Sequence, residues 1–476
     1  MNMNAMHDEF DNINAVYFIG IGGIGMSAIA RYCLSKGITV SGYDRSRTDF
    51  TQQLESEGMA VHYEEDINQI PKNVDLVVYT PAIPKDQKEL VFYQRNGYRL
   101  MKRSEVLEMI TQGSFNVCIA GTHGKTTTAT MIAHLLRASG YGCNAFLGGI
   151  SVNYGTNFWP QDSGDDREVC VVEADEYDRS FLKLNPDIAV ITAMDPDHLD
   201  IYGNADNMEA AFIDFSHRLR PEGLLVSKFG LKRSKDLSIR PKALSTHLTY
   251  SLQNEGADAY AQNIKAANGS YEFDVVVQNK KLEKVVLQMG GMHNVENAVA
   301  AVTVANALQI DPEKIKAALQ SFGGVKRRFE YIIKNDRLVF IDDYAHHPEE
   351  LKALIRGAIT LFRQRKCTII FQPHLYTRTR DLAPGFAEAL DLADEVILLP
   401  IYAAREKPIP GVNSEMIIEK MSTDNKQVLA KDRLLDWIRN DFASRIDTEF
   451  GEILITAGAG DIDMMVEPIK EILQKI

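Results

Sequence analysis

Two glycine-rich turns in this chain offer backbone amides to phosphate groups. The first, Gly20-Ile21-Gly22-Gly23-Ile24-Gly25, lies within YFIGIGGIGMSAIA at 17–30 and follows an apolar run. G-x-G-x-x-G between a strand and a helix lets amides approach a pyrophosphate at the helix N-terminus. Gly20, Gly22, Gly23 and Gly25 are therefore candidate ligand-binding positions. Asp44, ending TVSGYD, stands where an acid usually meets a ribose hydroxyl. The spacing suits NAD and a UDP-linked substrate alike, and a plain tight turn is a third reading. The second turn is Gly121-Thr122-His123-Gly124-Lys125-Thr126-Thr127. Lys125 is placed to neutralise β/γ-phosphate oxygens, and the Thr126 hydroxyl can coordinate Mg²⁺. Ile119 stands where a standard phosphate loop has its first glycine, so this is a shorter variant, expected to bind ATP.

Further along, Glu173 ends the apolar run EVCVVEAD, where an acid beside a phosphate loop can hold Mg²⁺; an exposed acidic loop is the plainer reading. His198 in MDPDHLDIYG is a lone histidine, and Mg²⁺ prefers oxygen ligands, so the residue alone favours a structural role. Asn294 and Asn297 stand one helical turn apart in HNVENAVAA and suit an adenine edge or an ordinary helix start. Arg328 belongs to the basic triplet Lys326-Arg327-Arg328, a phosphate contact or a solvated linker. DDYAHHPEE (342–350) brings Tyr344 and His346, and FQPHLYTRTRDL (371–382) brings His374, Arg378 and Arg380. Arginines with histidines at strand ends suit an anionic ligand such as an amino-acid carboxylate. Metal binding by these histidines is the competing idea.

Such residues need strand ends to hold them. AVYFIG, DLVVYT, FNVCIAG, EVCVVEAD, DIAVITAM, LVFIDDY, CTIIFQP, EVILLP and EILITAG read as parallel strands apolar on both faces, with helical patterns between them. This predicts an α/β chain. The region from about 247 to 290, with its Asn268-Gly269 turn signal, reads as a small antiparallel section. Strand, glycine turn and helix recur near 20, near 121 and at TAGAGDID (456–463).

The chain has 476 residues, enough for about three domains. Boundaries are expected at a polar stretch near 110–116 and at FGGVKRRFEYI, giving domains 1–112, 113–325 and 326–476. A net charge of -13 argues against a nucleic-acid or polyanionic surface. The five cysteines include no C-x-x-C pair and are expected to be buried apolar residues. No signal-peptide pattern or membrane-length apolar run is present, so a cytoplasmic protein is expected.

Taken together, FIGIGGIGMSAIA, AGTHGKTTT, EADEYDRSF, DPDHLDIYG, HNVENAVAA, RRFE, DDYAHHP, FQPHLYTRTRDL and TAGAGD resemble the Mur ligases, in the family's order and over nearly the whole chain. The resemblance, closest to the branch that adds L-alanine, implies three domains: an N-terminal Rossmann-like domain for UDP-N-acetylmuramate, a central ATPase domain and a C-terminal Rossmann-like domain. It implies ATP-driven amide formation in peptidoglycan precursor synthesis, with closure before chemistry. It carries Lys125 and Thr126 to phosphate and Mg²⁺, and Glu173 and His198 to Mg²⁺. It carries Asn294 and Asn297 to adenine and Arg328 to phosphate. Tyr344, His346, Arg378 and Arg380 would lie near L-alanine and the reacting carboxylate, with His346 as candidate base. Two departures stand out. No lysine occurs from Ile201 to His217, where several Mur ligases carry a carbamoylated one, and Leu375 replaces the arginine that often follows F-Q-P-H. An NAD-dependent oxidoreductase with an ATPase appendage, or a nucleotide-binding regulatory module, are the alternatives from other classes.

Overall fold

A computed structural model describes residues 10, 12–164, 167–195, 199–237, 246–404 and 406–475. The chain folds as two compact units, one of residues 1–262, 275–283 and 296–319, the other of residues 263–274, 284–295 and 320–476.

The first unit opens with a five-stranded parallel sheet in the order Ala60–His62, Thr39–Tyr43, Ala15–Ile19, Leu76–Tyr79, Leu100–Lys102. The alternation in Ala15–Ile19 explains its central place. Val16 and Phe18 pack on one face, and Tyr17 and Ile19 join Leu90 and Tyr93 on the other, all buried. Each such side chain contributes about 1.5–3 kcal/mol of burial. The strand order reverses between Ala15–Ile19 and Leu76–Tyr79, and such a switch point opens a crevice at the strands' carboxyl ends. The Gly20–Gly25 turn sits there, and the helix Ile24–Ser35 follows it.

A ten-stranded sheet comes next. Phe115–Ala120 lies inside it, between Val169–Glu173 and Ile188–Ile191, all parallel. This is why a loop after residue 120 and an acid at 173 become neighbours. Thr246–Ser251 pairs in parallel with Leu224–Lys228, so the antiparallel section is narrower than the sequence suggests. It starts with Ala259–Ala267, Ser270–Val277 and Lys280–Leu287, joined by Asn268-Gly269 and Gln278-Asn279. All four linking residues have positive φ, which two-residue hairpin turns of this kind require. The division between the units runs through these three strands.

The second unit carries a six-stranded sheet in the order Glu330–Lys334, Leu338–Asp343, Glu452–Ala457, Lys366–Phe371, Glu395–Leu398, Lys426–Val428. Only its first pair is antiparallel. All five cysteines are free and buried, as expected. Among the described residues, no helix is long and apolar enough to cross a membrane.

Candidate active site

The second glycine turn becomes a cradle because only glycine fits it. Gly121 has φ +138°, and a Cβ there would lie 2.2 Å from Thr192 Oγ1. Gly124, at φ 81°, caps the helix Lys125–Ala138, whose first amides are thereby left for a ligand. Lys125 Nζ donates to the Gly121 carbonyl at 2.6 Å and to Glu176 Oε1 at 2.8 Å. Burial pushes the Glu176 carboxyl above its ordinary range, and Lys125 pulls it back. Thr126 Oγ1 donates to Glu173 Oε1 at 2.8 Å, and the Gly148 amide donates to Oε2 at 2.8 Å. Thr122, Thr126 and Thr127 are buried, while His123 is exposed. Lys125, Thr126 and Glu173 therefore converge as the sequence suggested. Among the described residues, no group of three or more His, Cys, Asp or Glu could hold a metal ion. His198 lies outside the described residues.

Asn294 and Asn297 share the helix Met292–Ala307, and both are buried. Asn294 Nδ2 donates to the Gly290 carbonyl at 2.6 Å. Asn297 overhangs the phosphate loop: a Cβ on Gly124 would lie 3.0 Å from its Oδ1.

At the first turn, the Gly20 and Ile21 amides donate to the Tyr43 carbonyl, at 2.7 and 3.0 Å. The Gly22 amide donates to Asp44 Oδ2 at 2.9 Å. A Cβ on Gly22 would lie 2.7 Å from both that oxygen and Thr51 Cγ2. Gly20, Gly22, Gly23 and Asp44 thus form one turn. Gly25 faces a residue that sequence reasoning missed. Arg103 Nη1 lies 2.7 Å from where its Cβ would be, and Arg103 Nη2 lies 3.9 Å from Asp175. Nothing in the spacing of Arg103 signals this.

In the second unit, Tyr344, His346, His374 and Arg378 come together. Their loops leave the carboxyl ends of Leu338–Asp343 and Lys366–Phe371, the two parallel strands that flank Glu452–Ala457. Ring centroids are 5.2 Å apart for Tyr344 and His346 and 6.2 Å for His346 and His374. Arg378 Nη1 lies 3.2 Å from His374 Nδ1. His346 Nδ1 is 3.0 Å from the Tyr344 carbonyl, which assigns the proton to Nδ1 and leaves Nε2 with a lone pair. Burial pushes the pKa of His346 below the usual histidine value, against Glu350, which raises it. His374 is lowered by burial, then by Arg378. Burial thus favours the neutral form of both rings.

Arg380 does not join them. It is half-exposed and pairs with Asp381 at 2.7 Å. Residues two apart on a helix project about 200° apart, so Arg378 and Arg380 on Tyr376–Leu390 cannot both face inward. Arg328 is exposed; its neighbour Arg327 donates to Asp342 Oδ2 at 3.2 Å and to the Gly458 carbonyl. Asp343, which sequence reasoning left without a role, accepts from the Phe329 and Ala345 amides at 2.7 Å each. Removal from water raises its pKa to about 7, against those amides and the Arg328 charge. Its signal was the doubled acid at the strand end. Leu375, in the arginine's place, has φ 70° and begins the Arg378 helix.

Three family models match successive segments: "Mur ligase family, catalytic domain" over 15–114, "Mur ligase middle domain" over 119–305 and "Mur ligase, glutamate ligase domain" over 327–460. A UDP-N-acetylmuramate--L-alanine ligase from Cytophaga hutchinsonii is 46% identical, over 98% of this chain and 97% of its own. One from Parabacteroides distasonis is also 46% identical, over 98% and 99%. The crystal structure of a UDP-N-acetylmuramate-alanine ligase from Thermotoga maritima superposes with a TM-score of 0.81 at 27% identity, covering 98% of this chain and all of that one. Parallel sheets ending in a phosphate loop and an arginine–histidine cluster define a nucleotide-dependent α/β enzyme. The chain belongs to the Mur ligase family.

Proposed function

We propose that the chain is an ATP-dependent ligase that joins L-alanine to the lactyl carboxylate of UDP-N-acetylmuramate, in peptidoglycan precursor synthesis. The observation that carries it is the phosphate loop, where Lys125, Thr126 and Glu173 converge behind Gly121 and Gly124. The curated relatives, alike over almost their whole length, support the choice of substrates. Domains of 1–112 for the UDP-linked substrate, 113–325 for ATP and 326–476 for the amino acid follow from that reading.

A carboxylate is a poor electrophile. Transfer of the γ-phosphoryl from ATP to a carboxylate oxygen releases ADP and gives an acyl phosphate. The neutral amine of alanine attacks that carbonyl carbon, and the tetrahedral intermediate expels phosphate. Most of the acceleration is positioning and charge neutralisation. Lys125 meets the phosphate oxygens and Arg328 a phosphate, while Asn294 and Asn297 face adenine. Arg378 takes the alanine carboxylate, and Tyr344 and His374 shape the pocket, while Arg380 stays with Asp381 on the exposed side. His346 Nε2 accepts the amine proton. Gly20 to Gly25 hold the UDP pyrophosphate, and Asp44 turns from Gly22 to the ribose. The oxygens of Thr126 and Glu173 suit Mg²⁺, which prefers such donors, and His198 would join them; bound Mg²⁺ supplies charge neutralisation on the phosphates. With soluble substrates, the enzyme works in the cytoplasm.

The test is ADP release with UDP-N-acetylmuramate and each amino acid in turn. L-alanine is expected to drive it. If an alanine-led tripeptide is joined while free alanine is refused, the chain is instead a peptide-recycling ligase.

A further inference from the structure

Lys125 is the cation on which the phosphate-loop reading rests, and its charge is already engaged. Its ammonium lies 2.6 Å from the Gly121 carbonyl, 2.8 Å from Glu176 Oε1 and 2.7 Å from Glu176 Oε2. The ammonium donates to two of these oxygens, and the third, Glu176 Oε2, faces it as a buried ion-pair partner without a hydrogen bond of its own. Glu176 is 1% exposed, so its charge has little water to fall back on. Its place is fixed from its own side, because its backbone carbonyl accepts from the Tyr202 hydroxyl at 2.6 Å. It begins the short helix Tyr177–Lys183, three residues beyond Glu173. The two acids therefore divide the loop, Glu173 on the Thr126 hydroxyl and Glu176 on the Lys125 ammonium.

A phosphate cannot take all of Lys125 while that pair stands. A buried carboxylate left beside a polyphosphate repels it strongly at low dielectric. We propose that Glu176 is the counter-ion of Lys125 in the nucleotide-free chain, and that each binding event exchanges this carboxylate for a nucleotide phosphate on the same ammonium. Glu176 thereby lowers nucleotide affinity and speeds departure of ADP, by recapturing Lys125 as the phosphate leaves. It is a positioning residue that acts through Lys125. The inference rests on the phosphate-loop reading above.

The test is calorimetry of ADP and ATP binding, without added metal, to the full chain and to Glu176→Gln. The glutamine keeps the shape and one acceptor oxygen but removes the charge. The expected result is affinity about tenfold tighter or more, with KM for ATP and kcat both lowered as ADP release slows. A purely structural role predicts weaker binding, so unchanged or weaker binding in a folded variant overturns the proposal. If the variant does not fold, a crystal structure of the unaltered chain with ADP decides. Lys125 on the β-phosphate and out of hydrogen-bond reach of Glu176 is expected; an intact pair beside bound ADP overturns the exchange. If the unaltered chain binds neither nucleotide, the phosphate-loop reading itself fails, and the exchange falls with it.

Discussion

The two glycine turns are written alike and do different work. Both follow a central parallel strand, and both end in a helix whose first amides point outward. The difference lies in the first residues of each helix. Ile24 and Gly25 open the first helix and carry no functional group, so that turn offers amides, with Asp44 closing it from the next strand. Lys125 and Thr126 open the second and add an ammonium and a hydroxyl, with Glu173 and Glu176 set against them. Amides alone can hold a pyrophosphate. Moving a phosphoryl group needs charge placed where charge develops. On the proposed function, one turn holds a ligand and the other transfers a group.

Four experiments press on that contrast. Lys125→Ala is expected to cut amino-acid-dependent ADP formation by about 10³-fold or more, with a circular dichroism melt near that of the unaltered chain. UDP-N-acetylmuramate should still bind at the first turn. Near-normal turnover would erase the distinction between the turns.

Gly22→Val tests the holding turn. Its side chain would enter the space of Asp44 and Thr51, so UDP-N-acetylmuramate should go from micromolar to weaker than millimolar, a loss of about 4 kcal/mol. ATP binding should be unaffected. If NAD binds the unaltered chain and UDP-N-acetylmuramate does not, the first turn serves a different chemistry.

Arg378→Ala lies in the second unit and tests the proposed amino-acid site by itself. Its loss should raise KM for L-alanine by an amount equivalent to about 2–5 kcal/mol, with KM for ATP little changed. Arg380→Ala should cost less than about 1 kcal/mol, because its exposed pair with Asp381 contributes little. Equal effects of the two would contradict the helix phase observed here.

The helices behind the turns differ as well. Ile24–Ser35 buries Arg31 as a cation, paired with Glu57 at 2.7 Å. Lys125–Ala138 buries His134, whose Nδ1 and Nε2 lie 2.9 Å from the Tyr154 hydroxyl and the Ala318 carbonyl. Burial lowers the His134 pKa to about 4. The unfolded chain, near 6.5, therefore binds the proton first as pH falls. The stability from neutral His134 is complete above about pH 6.5 and is lost progressively toward pH 4, by about 2 kcal/mol at pH 5. Urea unfolding at pH 7 and pH 5 measures it, and His134→Gln should remove that part of the acid dependence. An unchanged slope in the variant would mean His134 is not the group that titrates.

How much of this could be read in advance depended on distance along the chain. The apolar runs became strands within a residue or two of their expected ends, except DIAVITAM, whose strand Ile188–Ile191 stops three residues short, since strands buried on both faces must be continuously apolar. Short edge strands such as Ala60–His62 and Lys426–Val428 escaped notice, being too brief and too polar to stand out. The glycine turns were legible because steric freedom is a property of the residue itself.

Sequence alone therefore determined the strand–turn–helix units, the residues of the phosphate loop and the family. Each is local, or is carried by the order of local motifs. Tertiary structure alone decided that Glu176 meets Lys125, that Arg103 lies at Gly25, that Arg327 reaches Asp342, and that Arg378 turns inward while Arg380 faces water. Those outcomes follow from helix phase, from backbone turns such as the positive φ of Arg327, and from which strands become neighbours in a sheet. No short window of sequence contains them, because the partners meet only when the chain has folded.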